Sequence, residues 1–122
     1  MRQSMAIGAL AGLALLAACN TAGRGIPHWQ QAQREIEWFY ENHAWERGAS
    51  CIPPRFIGAT RTDIVEDTSQ RLVLNVRYMW DVEGQNDDEL SGVPCFGQGE
   101  RTFVLARQGN GYTVSSMTGP QR

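Results

Sequence analysis

Apolar residues recur along this chain in three rhythms, and each predicts a different element. The first is unbroken: Met5 to Leu16 contains no charged residue. The second returns at spacings of three and four through Trp29, Ala32, Ile36, Phe39, Tyr40 and His43, which is one face of an amphipathic helix. That helix is expected over 27–47. Pro27 suits its first turn, where a missing N–H costs nothing, and Gly48 suits its stop. The third rhythm is strict alternation. Leu72, Leu74, Val76, Tyr78, Trp80 and Val82 interleave with Val73, Asn75, Arg77, Met79 and Asp81, so this stretch reads as a strand with one apolar face. It belongs at the centre of a sheet, under the helix.

Weaker signals complete the sheet. A first strand is expected within 55–66, carried by Phe56, Ile57, Ile64 and Val65, and a turn follows over 66–69. A third strand is expected over 101–107, with Phe103 and Leu105 on one side and Thr102, Val104 and Ala106 on the other. Gln108-Gly-Asn-Gly111 contains Asn-Gly, the strongest short hairpin signal, so 112–117 returns as a fourth strand. Between the second and third strands, 83–100 reads as one long loop, because Gly84, Gly92, Pro94, Gly97 and Gly99 break regular patterns. Cys51-Ile-Pro-Pro54 is a stiff connector after the helix. The predicted fold is α+β: one N-terminal helix on a four-stranded, mostly antiparallel sheet, in a single domain over 27–122.

The N-terminal rhythm carries a second message. Met1–Ser4 supplies positive charge from Arg2, and the apolar run is short for a bilayer span but suits a signal peptide. It ends in Leu16-Ala17-Ala18-Cys19. This layout resembles the signal peptide and lipobox of bacterial lipoproteins, and the resemblance covers residues 1–20 alone. It implies that residues 1–18 are removed and that Cys19 becomes the acylated first residue, tying the domain to a membrane by two or three acyl chains. Each buried methylene contributes about 0.8 kcal/mol, so several chains anchor stably where one is marginal. Asn20 in place of Asp implies sorting to the outer membrane, facing the periplasm, over the inner membrane. Residues 20–26 then read as a short flexible tether.

Cysteine use follows from that address. With Cys19 acylated, Cys51 and Cys95 remain as an even pair in an oxidising compartment, where a disulfide is expected. In the chain-entropy model such a loop closure stabilises by about 4 kcal/mol. A reactive Cys51 thiol is the competing reading.

Composition narrows function mainly by exclusion. Eleven basic residues stand against thirteen acidic ones, for a net charge of -2, so no basic face for nucleic acid is implied. Every basic residue is Arg, which removes catalytic lysine chemistry. His28 and His43 with two distant cysteines match no metal spacing. Asp87-Asp88-Glu89 is contiguous, whereas calcium loops space their ligands at alternate positions. Cys95-Phe-Gly-Gln-Gly99 neither follows a strand nor opens a helix, so it fails as a dinucleotide turn. No cofactor is expected, and no enzyme is called for. The rival is a periplasmic hydrolase or thiol enzyme working through His43 and Cys51.

The remaining oddity is Trp38 and Trp45. At helical spacing they fall opposite the apolar stripe, one above the other, with Arg34 a turn before Trp38 and able to lie over its ring. Exposed tryptophans want a cover. Three covers compete: another part of this chain, an envelope protein partner, and the membrane headgroups. Arg34, Trp38 and Trp45 form the expected contact patch.

Overall fold

A computed structural model of the chain describes residues 21–83, 87–88 and 93–122. The signal segment, Cys19 and Asn20 lie outside the described residues, as does Glu89. Helix α1 spans Trp29–His43. Strands β1 (Arg55–Asp67) and β2 (Arg71–Asp81) precede a two-residue pair, β3 (Asp87–Asp88) and β4 (Val93–Pro94); β5 (Phe96–Gln108) and β6 (Gly111–Met117) close the chain. The main sheet has the order β1-β2-β5-β6, all neighbours antiparallel. The expected architecture is therefore the observed one: a single helix laid on a four-stranded antiparallel sheet.

The alternation in β2 governs the packing. Leu72, Leu74, Val76, Tyr78 and Trp80 are buried on the inner face, while Arg77 and Met79 are exposed on the outer one. Ala32, Ile36 and Tyr40 are the buried stripe of α1 and join that core, with Trp29 and Phe39 packed against its edge. Tyr40, Phe56 and Tyr78 form an aromatic trio where α1 crosses the sheet, their ring centroids 5.0 to 5.5 Å apart. Cys51 and Cys95 are joined, both fully buried, with Cα atoms 5.4 Å apart.

Three expectations need correction. The helix ends at His43 and not near Arg47. Ala44 leaves in an extended conformation and bridges Gln121, and the Trp45 N–H donates to the Pro120 carbonyl. The C-terminal segment thus competes for this backbone and wins. Arg122 then satisfies the helix end: its side chain donates to the carbonyls of Glu41 and Ala44, its N–H to that of His43. A cation there also complements the helix dipole.

Second, 83–100 is not one long loop. It contains the β3–β4 pair, and β5 starts at Phe96. Gly97 and Gly99 are strand residues opposite Trp80 and Tyr78. A Cβ at Gly99 would lie 2.4 Å from the Tyr78 ring, so the glycine makes room for the large residue across from it. Glycine in a strand often marks such a close approach.

Third, 21–26 is no free tether. The Thr21 N–H donates to the Thr60 carbonyl at 3.3 Å and the Gly23 N–H to Thr62 Oγ1 at 2.9 Å. Ile26 is buried. Gly23, at φ 77°, sits directly against the Trp29 ring. These residues fold against the edge of β1.

Candidate functional site

The outward stripe of α1 carries the expected contact patch in altered form. Gln30, Arg34, Trp38 and Asn42 recur every fourth residue and are exposed, the complement of the buried stripe. Trp38 is 61 % exposed. Its ring meets the His43 ring edge-on, centroids 6.3 Å apart, and His43 in turn stacks on Phe39 at 4.1 Å. Arg34 shares the stripe, but the cation–π pairs among the described residues are Arg47–Trp80, Arg101–Tyr40 and Arg107–Tyr112. Trp45 lies beyond the helix end and is half-buried. The geometry brings Arg34 and Trp38 together on one stripe and leaves Trp45 off it.

The densest polar chemistry lies on the inner face. Arg101 is in phase with Phe103 and Leu105 and is 3 % exposed. Its Nε donates to Tyr78 Oη at 2.8 Å. Nη1 donates to the carbonyls of Thr118 and Pro120, and Nη2 to the Trp45 carbonyl at 3.0 Å and to Glu46 Oε2 at 3.4 Å. That oxygen also accepts from Tyr40 Oη at 2.7 Å and Tyr78 Oη at 2.6 Å. All five guanidinium donors are used. Burial, then the bond to Glu46, pushes both phenols well above the ordinary tyrosine value. Tyr40 and Tyr78 therefore stay protonated donors at neutral pH. With every member satisfied, the group pins the post-helix segment and the C-terminal segment to the sheet. That is a structural assignment.

Two shallow grooves flank β1. One, of about 540 Å³, is lined by Glu41, Pro53, Pro54, Arg55, Val82 and Glu83. Glu41 accepts from the Phe56 N–H at 2.8 Å, and Arg55 pairs with Asp81 through two hydrogen bonds of 2.8 Å. That pairing holds the Asp81 carboxyl below its ordinary value. The other groove, of about 550 Å³, runs along the β1 edge beside Thr21 and collects Arg24, Arg61 and Arg77.

Cysteine chemistry at Cys51 has no free thiol to use, because its sulfur is bonded to Cys95. His43 sits with Nδ1 2.8 Å from the Phe39 carbonyl. Among the described residues, no three His, Cys, Asp or Glu side chains stand close enough together to hold a metal ion. No helix among them is long and apolar enough to cross a membrane.

Sequence reasoning missed Arg101 and Glu46. The signal for Arg101 was available, since it continues the alternation of Phe103 and Leu105 inward. Glu46 carried none, because its position depends on where α1 stops. No protein-family model, curated protein or solved structure matches the chain.

Proposed function

We propose that this chain is a bacterial envelope lipoprotein, acylated on Cys19, that holds a small non-catalytic binding module at a membrane surface. Asn20 favours the outer membrane, facing the periplasm. The contact patch is Trp38 with Arg34 on the outward stripe of α1, without Trp45. The observation that carries the binding reading is Trp38 itself: a large ring, 61 % exposed in the middle of the outward stripe of α1. Tryptophan and arginine are the residues most enriched where partners bind tightly. The anchor rests on the lipobox resemblance, and the Cys51–Cys95 bond suits the oxidising compartment it implies.

Two substitutions test the two halves. Cys19→Ser should move the protein from the membrane fraction to the soluble fraction. A variant that stays in the membrane fraction would defeat the anchor. A photo-crosslinking side chain at Trp38 should give a discrete protein adduct in intact cells, and the same probe at Thr113 on the far strand should not. Equal adducts from both positions would defeat the patch.

A further inference from the structure

Only Asn20 separates the proposed acylation site from the folded body, because Thr21 is already bonded to Thr60 of β1. Two Cα–Cα steps span at most about 7 Å, comparable to the depth of one headgroup layer, roughly 5–8 Å. A chain acylated at Cys19 therefore holds Thr21, and the stretch of β1 it hooks onto, at the level of the headgroups.

The groove beside Thr21 has an unusual charge pattern for a sheet surface. Arg61 stands directly opposite Arg77 in the β1–β2 register, a like-charge placement that ordinarily costs stability. Both point to the outer face, and Arg24 lines the same groove. Asp63 pairs with Arg61 at 3.1 Å and Glu100 with Arg77 at 3.0 Å. Arg24 forms no ion pair among the described residues. Three guanidinium groups against two carboxylates make a locally positive spot on a chain of net charge -2. Local rules are broken in this way at functional sites more than elsewhere. Phosphate oxygens are what guanidinium groups match best, through parallel N–H···O bonds.

We infer that the outer face of the sheet at the β1 edge, through Arg24, Arg61 and Arg77, docks onto the anionic phospholipid headgroups of the leaflet that holds the acyl chains of Cys19. The short link brings the face to the membrane, and the arginines fix its orientation. Helix α1 covers the opposite face of the sheet, so the same docking turns Trp38 toward the aqueous space and a protein partner. The inference rests on acylation of Cys19.

The test uses the mature acylated protein in phosphatidylcholine vesicles containing phosphatidylglycerol, with intact mass read first to establish the acyl chains. A fluorophore is attached at Gln98→Cys, in the groove, or at Gln30→Cys, on the outward stripe of α1. Quenching by headgroup-labelled lipid is then compared. The groove site is expected to be quenched several-fold more than the helix site, with the preference weakening in high salt as screening shortens to about 3 Å at 1 M. In the R24Q, R61Q and R77Q triple variant, checked for an unchanged thermal midpoint, the preference should fall toward parity. Equal quenching at both sites in the acylated wild type, or stronger quenching at the helix site, would overturn the docking while leaving the anchor intact. A mass without acyl chains would remove the anchor and the docking with it.

Discussion

The two faces of the sheet use arginine in opposite ways. On the inner face Arg101 is buried, with five donors committed to Tyr78, Glu46 and three backbone carbonyls. On the outer face Arg55, Arg61, Arg71 and Arg77 are each about half exposed, and each pairs with a single carboxylate. The difference is one of commitment. A buried guanidinium stripped of water must be satisfied completely, and once satisfied it defines the positions of everything it touches. Half-exposed guanidinium groups keep their water, contribute little to stability, and retain donors for a visiting anion. Identity of residue type therefore says little about role; the face it occupies says most of it.

Breaking the inner arrangement should have the largest effect. Arg101→Ala leaves Glu46 without its counter-charge and takes the guanidinium donors from the Trp45, Thr118 and Pro120 carbonyls, of which Pro120 keeps the Trp45 N–H, so denaturant unfolding should show a loss of about 3–5 kcal/mol. A loss below 1 kcal/mol would mean that the inner arginine is no more committed than the outer ones. Alkaline pH attacks the same group through its phenols. Both have raised folded-state values, so their stabilisation is full below the unfolded tyrosine value near 10 and falls as pH rises above it. Two phenols held protonated give a slope of about 2.7 kcal/mol per pH unit above pH 10. Changing Tyr40 and Tyr78 together to Phe should abolish that slope, and a slope that persists would place the alkaline sensitivity elsewhere.

Gly99→Ala sharpens the contrast from the backbone side. The added Cβ meets the buried Tyr78 ring, so a loss of about 1–3 kcal/mol is expected from overcrowding, whereas Gly109→Asn, in an open turn at φ 59°, should be nearly neutral by thermal unfolding. Among the arginines the effect should be small: Arg61→Ala and Arg77→Ala should each change stability by roughly 0.2–1 kcal/mol. A larger loss from either would show that the outer face is structural and weaken its assignment to the membrane.

The sequence made the fold legible where one periodicity dominated. In β2 the alternation named the buried and exposed residues almost one by one, and Ala32, Ile36 and Tyr40 marked the face of α1. Cysteine count and the lipobox resemblance together pointed to the Cys51–Cys95 bond. The failures came where distant segments decide local structure. Nothing near Ala44 announces that the helix must stop to meet Gln121. Thr21–Ile26 looks like a linker until β1 supplies Thr60 and Thr62 as partners. Gly97 and Gly99 look like breakers until Trp80 and Tyr78 stand across from them. Of the expected patch, Arg34 and Trp38 share a face because both lie within the true helix. Trp45 does not, because helical spacing ends at His43 and Ala44 is already extended. The arginine groove was invisible as a unit, since Arg24, Arg61 and Arg77 come together only through strand register.

The proposed anchor at Cys19 would link the two faces to a membrane, and its most direct test is the intact mass of the membrane-extracted protein, with thiols alkylated before and after reduction. A mature chain that begins at acylated Cys19 and takes up alkyl groups at Cys51 and Cys95 only after reduction is the predicted result. An unacylated chain, or one alkylated at both cysteines without reduction, would contradict it.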